Sequence, residues 1–162
     1  DLGANSGETI LKFFNLNDRK IENFNIPEYT DMIKNQKWIV YIFEANNVFN
    51  KNLSFVKKSL ENKNHQVNLF SETVAWTYNG KIDFYFDIVN QQYNFHGSSL
   101  FSDHLDIIRS NHTKKEINCY DLASIIKKYN NEDFIVIKMN IEGSEYELIA
   151  DFIGKNVFNL ID

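Results

Sequence analysis

Short apolar runs of strand character alternate along this sequence with stretches whose apolar residues recur at helical spacing. Few architectures accommodate that alternation. Trp38-Ile39-Val40-Tyr41-Ile42-Phe43 and Phe134-Ile135-Val136-Ile137 read as strands buried on both faces. Gly7 to Phe14 predicts a helix directly after a glycine-containing loop, and Pro27 announces a short helix over Glu28 to Gln36. Phe49, Leu53, Val56 and Leu60 recur at spacings of four, three and four, which predicts a surface helix over Asn47 to Asn62. Glu142 to Ile153 predicts a further helix ending near Gly154. The expected fold class is α/β, a single domain over residues 1–162 with a mixed, mostly parallel sheet.

The mixture comes from one local pattern. Val74, Trp76 and Tyr78 alternate toward Asn79-Gly80, and Ile82, Phe84 and Phe86 alternate away from it. Asn-Gly between two such runs predicts a type I′ hairpin, hence an antiparallel pair. Residues 88–113 show no sustained period and read as a long loop of the kind that carries function. Glu116 to Tyr120 then predicts a short strand, Asp121 an N-cap for a helix to about Tyr129, and Asp133 to Met139 a buried strand.

Composition removes several function classes. Seventeen Lys and Arg against 22 Asp and Glu give a net charge of −5, which argues against a nucleic-acid groove. No apolar run approaches the roughly 18 residues of a membrane span, and no signal-peptide pattern opens the chain, so the expected location is cytoplasmic. A single cysteine, Cys119, excludes an internal disulfide or a multi-cysteine zinc site and is expected to pack in a strand. The 23 Asn and 15 Lys against 2 Arg and 5 Ala fit an AT-rich coding sequence better than a prion-like tract. The chain starts at Asp1 without Met and closes on Asn156 to Asp162, which reads as the lead-in to another strand; both ends are expected to be cut.

Three segments carry chemistry. Asp1-Leu2-Gly3-Ala4-Asn5-Ser6-Gly7 sits where a strand would hand over to a helix, and its two glycines would let a small molecule lie against bare backbone and free N–H groups. Neither the G-x-G-x-x-G dinucleotide pattern nor a Walker lysine is present, which disfavours a dehydrogenase and a nucleotide triphosphatase. The strand after it ends in Glu44-Ala45-Asn46, an acid placed to accept hydrogen bonds from a ribose diol. Lys138, Asn140 and Glu142 gather polar groups at the carboxyl end of a third strand, where open α/β sheets bind ligands.

These segments, with Ala75 before Asn79-Gly80 and with Ser98-Ser99-Leu100, resemble the ordered blocks of FkbM-type methyltransferases over nearly the whole chain. The resemblance implies a Rossmann-like three-layer sandwich that uses S-adenosylmethionine. It implies Asp1, Gly3, Asn5 and Gly7 around the methionine part of that cofactor, Glu44 on its ribose, Glu72 on the adenine side, and Asn140 in the cofactor site. The family block carries Asp where this chain has Asn140, which can accept a hydrogen bond but cannot take a proton. The expected activity is O-methylation of a sugar, a glycan or a small hydroxylated metabolite. Glu142 is expected as the base or as a carboxylate that orients the acceptor, Lys138 as a stabiliser of negative charge, and His96 as a second choice of base. His104 and His112 have no partner spacing that suggests a metal. The rival reading is an inactive module that binds the cofactor or a protein on the same fold.

Overall fold

A computed structural model of the chain describes residues 1–14, 16 and 36–162. The helix predicted over Glu28 to Gln36 lies, apart from Gln36, outside the described residues. Helix α1 spans Glu8–Phe13, strand β1 Ile39–Glu44, helix α2 Asn50–Glu61, and strands β2, β3 and β4 Gln66–Ser71, Thr73–Trp76 and Gly80–Tyr85. Helix α3 spans Leu105–Arg109, strand β5 Lys114–Asp121, helix α4 Leu122–Ile126 and helix α5 Glu145–Gly154. The fold class is α/β, with parallel and antiparallel strands as expected.

Strand β1 is the centre of the packing. It pairs in parallel with β2 from Ile39 opposite Gln66 to Glu44 opposite Ser71. Its other edge meets Leu2, which makes parallel bridges to both Phe43 and Met139. Successive side chains of a strand point to opposite faces, so β1 feeds two cores. Ile42 packs with Leu53, Val56 and Leu60 of α2 and with Ile10 of α1. Phe43 packs with Leu122 and Ala123 of α4 and with Leu148 and Phe152 of α5. The predicted α2 stripe is therefore the buried one, preceded by a 3-10 turn, Asn47–Phe49, in which Asn46 caps Val48.

The predicted hairpin does not form. Strands β3 and β4 lie on either side of β5, in the order β3-β5-β4, with β3 parallel to β5 and β4 antiparallel to it. Neither Asn79 nor Gly80 has the positive φ that a type I′ turn needs. Residues 77–79 instead carry the chain past the edge of β5, a distance of roughly 10 Å, or two strand spacings. The link is pinned in that path: Asn79 Oδ1 accepts from the Asp121 N–H (2.9 Å), and Lys155 Nζ donates to the Thr77 carbonyl (2.6 Å). The described strands form two sheets instead of the one expected, the parallel pair β1-β2 and the three-stranded β3-β5-β4, and the second is mixed because β4 runs antiparallel to β5, not because of a hairpin.

Two other elements differ in extent. Among the described residues, 133–139 form no ladder; their strand pairing there is the bridge between Met139 and Leu2, and Val136 is exposed. Helix α5 begins three residues later than predicted because Glu142 and Gly143 are left-handed (φ 51° and 98°), which no helix can include. Asp121 does cap α4, accepting from the Ser124 N–H, and i to i+3 hydrogen bonds carry the turn on to Tyr129.

Because Gly80 is not left-handed and an added Cβ would make only ordinary contact with the Tyr78 ring (3.5 Å), Gly80→Ala is expected to change unfolding free energy by less than about 0.5 kcal/mol. A positive-φ turn position would lose more. Urea titration of the two proteins distinguishes the topologies.

Candidate active site

The bridges of Leu2 bring three chain segments to one edge. Gly3 to Gly7 turns over the ends of β1 and of residues 133–139. Three of its residues are left-handed, Gly3 (φ 67°), Asn5 (φ 52°) and Gly7 (φ 79°). The glycines are required for space as well. A Cβ on Gly3 would sit 2.3 Å from the Asn140 carbonyl oxygen, and one on Gly7 would sit 2.7 Å from Val56 Cγ2. Asn tolerates the left-handed region better than most residues, and Asn5 uses its amide on both sides. Its Oδ1 accepts from the Ser6 N–H (2.8 Å) and its Nδ2 donates to the Asn94 carbonyl (2.7 Å).

The turn was expected to offer free N–H groups. Three of them are spent: Asn5 donates to Glu44 Oε2 (2.6 Å), Ser6 to its neighbour's amide, and Gly7 to the Ala4 carbonyl (2.8 Å). What it exposes is the carboxylate it grips. Glu44 is buried at 7% exposure, and its Oε1 accepts from the Asn46 N–H (2.7 Å). Burial pushes its carboxyl above the usual range, while the N–H groups of Asn46 and Asn5 and the charge of Lys138 pull the other way. Each oxygen keeps a lone pair for a further donor.

A shallow, open cleft with about 90 Å³ of enclosed space runs past Glu44. Of the predicted residues it brings together Gly3, Asn5, Glu44, His96, Asn140 and Glu142. The same cleft is lined on its apolar side by Phe49, Val74, Ala75, Phe84 and Leu100. Four predicted residues are placed elsewhere. Glu72, left-handed between β2 and β3, pairs with Lys115 (2.9 Å) outside the cleft. Gly7 faces α2. Lys138 Nζ lies beneath the turn, 3.0 Å from the Gly3 carbonyl and 3.0 Å from Asp1 Oδ1, so neither Lys138 nor Asp1 lines the cleft. Desolvation lowers the Lys138 pKa, opposed by the Glu44 charge. In the unliganded protein the contacts of Lys138 are with the turn, through the Gly3 carbonyl, and with Asp1.

The opposite lip is built from residues 140–144 and 87–101. Glu145 accepts from the N–H groups of Ile141 (2.8 Å) and Gly143 (2.7 Å), folding the strained turn around Glu142. Buried Ser99 donates to the Glu142 carbonyl (3.0 Å). The irregular segment carrying His96 is organised by Asp87, which is 1% exposed and was not singled out from the sequence. Its carboxylate accepts from the N–H groups of Val89, Asn90 and Gly97 and from Asn90 Nδ2. Asp followed by Asn three residues on is a weak turn signal, and nothing in it marks Gly97, ten residues away. Sequence spacing also missed His104, whose Nε2 lies 3.8 Å from Glu142 Oε2. Among the described residues no cluster of three or more His, Cys, Asp or Glu could hold a metal.

A model of the methyltransferase FkbM domain matches residues 1–160. The chain belongs to the FkbM methyltransferase family. No curated protein and no solved structure matched it. Membership fixes the general class of reaction, methyl transfer, and the cleft described above is where an FkbM domain of this sequence has its polar groups converge. Among the described residues no helix is long and apolar enough to cross a membrane.

Two outcomes follow for the scaffold of the site. Gly3→Ala should lose ligand binding and several °C of melting temperature, since the new methyl group collides with backbone that cannot move aside. Asp87 is pushed up by burial, but the Asn90 side chain and the N–H groups of Asn90, Val89 and Gly97 outweigh this and hold its pKa below the ordinary value. A lowered pKa adds stability above the ordinary carboxylate range, and that stability is lost as pH falls through the lowered value. Asp87→Asn should therefore cost about 1–3 kcal/mol at pH 7, with the gap from the parent protein narrowing toward pH 3 in urea titrations.

Proposed function

We propose that the cleft binds S-adenosylmethionine on a Rossmann-like scaffold and that the domain transfers its methyl group to a hydroxyl of a sugar, a glycan or a small hydroxylated metabolite. The observation that carries this reading is Glu44: a buried carboxylate, oriented by two backbone N–H groups, facing a cleft with a spare lone pair on each oxygen. A ribose diol supplies the two donors that such a carboxylate lacks. The residues present fit the rest of the cofactor as well, with apolar Val74, Ala75 and Phe84 suited to an adenine ring and the carboxylates of Glu44 and Glu142 suited to a cationic sulfonium. When bound, S-adenosylmethionine supplies an electrophilic methyl group.

The chain's own residues have separable tasks. Lys138 clamps the Gly3 carbonyl and so fixes the height of the turn. Glu44 orients the cofactor. Glu142, across the cleft, accepts the proton of the acceptor hydroxyl, with His96 beside it on the same lip. Much of the acceleration then comes from holding acceptor and donor in line.

A second reading has one observation in its favour. Asn140, one of the residues lining the cleft, carries an amide that cannot accept a proton, which suits a module that binds cofactor without turning it over. Methyl transfer that appears only in Asn140→Asp would favour this reading.

Calorimetry with S-adenosylhomocysteine tests the main proposal. Glu44→Gln should weaken binding about 10- to 100-fold, the loss of hydrogen bonds to a charged group, and an analogue lacking both ribose hydroxyls should bind the two proteins alike. Because burial raises the Glu44 pKa and only the ionised form offers both oxygens as acceptors, affinity should rise as pH increases through that raised value. Absence of heat with the folded parent protein would sink the proposal.

A further inference from the structure

Glu142 is held unusually firmly for a residue lining an open cleft. Its backbone is left-handed (φ 51°), and bonds on both sides keep it so: Glu145 accepts from the flanking N–H groups of Ile141 and Gly143, and Ser99 Oγ donates to the Glu142 carbonyl. From that fixed backbone, one carboxylate oxygen, Oε2, stands 3.8 Å from His104 Nε2. His104 is itself fixed at its other nitrogen. It is the N-cap of α3, and its Nδ1 accepts from the Asp106 N–H (3.4 Å). With Nδ1 accepting from that N–H, Nε2 is the nitrogen left to donate, and it is the atom that faces Glu142. The segment beneath is tightly seated, for a Cβ on Gly97 would lie 2.5 Å from Asp106 Cβ. His104 does not line the cleft and meets it through Glu142.

We propose that His104 is a positioning residue for the methyl transfer: its Nε2, 3.8 Å from Glu142 Oε2 and beyond hydrogen-bond reach in the unliganded protein, closes on that oxygen in the loaded site and leaves Oε1 as the atom that takes the acceptor's proton. This rests on the reading of Glu142 as the base. As the acceptor's O–H bond breaks, its proton passes to Glu142 Oε1 and the oxygen's electron pair forms the bond to the methyl carbon. The carbon–sulfur bond breaks with its pair left on sulfur, so the sulfonium becomes a neutral thioether. The arrangement follows a general rule of acid–base sites, in which the group that moves the proton is oriented by a second group behind it.

Two substitutions separate this role from simple capping. Asn is a good N-cap but too short to reach Glu142, whereas Gln extends an amide donor toward Glu142 and caps poorly. With labelled S-adenosylmethionine and a panel of methyl glycosides, His104→Asn should lower kcat about tenfold, a part of the 10²–10⁴ that a positioned base supplies, with KM for the cofactor unchanged. His104→Gln should restore most of the rate. In the unliganded protein, the amide resonances of Glu142 and Gly143 should move in His104→Asn and return toward their original positions in His104→Gln. The reverse order of the two variants, or resonances that stay in place in His104→Asn, would overturn the positioning role while leaving the base intact. A parent protein that turns over labelled S-adenosylmethionine with an acceptor yet keeps its full rate in Glu142→Gln would remove the base role of Glu142 and this inference with it.

Discussion

The structure depends on the backbone of Leu2. Its N–H donates to the Lys138 carbonyl (2.9 Å) and its carbonyl accepts from the Asn140 N–H (3.3 Å), while Asp1 and Ala4 on either side bond to Phe43 of β1. One residue thus stitches two chain segments that are nearly a hundred residues apart into a common parallel arrangement. Everything chemical stands on the carboxyl side of that stitch: the Gly3 to Gly7 turn, Glu44 at the end of β1, and Asn140 to Glu142 beyond Met139. Chain ends at one edge of a parallel sheet converge by construction, which is why ligand sites gather there. Lys138 makes the arrangement stiffer by reaching from one segment to the carbonyls of another.

Much of this was legible in the sequence because it is local. Gly3, Asn5 and Gly7 are the residue types that tolerate positive φ, and all three have it. Phe49, Leu53, Val56 and Leu60 form the buried stripe their spacing describes. Glu44 is where a strand-terminal acid should be. The hairpin failed for a physical reason: alternation says that two segments are strands, and Asn-Gly says that the chain can turn between them, but neither excludes a third strand from inserting. The partner that does so, β5, starts almost thirty residues after β4 ends, and no local rule contains it. Residues 133–139 failed in the opposite direction: their apolar run reads as a buried strand, yet Val136 is exposed and none of residues 134–139 is fully buried.

The candidate site divides in the same way. One lip is a turn whose conformation its own residues dictate. The other is assembled from distant pieces: Asp87 gathering the N–H groups of a ten-residue loop, Ser99 reaching Glu142, and His104 arriving beside it from a separate helix cap. Such contacts depend on which loops the fold brings side by side, so composition and periodicity carry no trace of them. The two lips also touch, through the Asn5 amide on the Asn94 carbonyl, and a displacement of the long loop would therefore be felt at the residue that grips Glu44.

Gly3 answers to residue 140 through that residue's carbonyl oxygen, not its side chain. The steric demand that shapes the turn is consequently blind to what residue 140 is. Asp and Asn have nearly the same shape, and their codons differ by one nucleotide. A lineage of such domains can therefore exchange a protonatable group for an amide at a residue lining the cleft without rebuilding the scaffold, and can reverse the exchange just as readily. Architecture and reactivity are inherited here on separate terms.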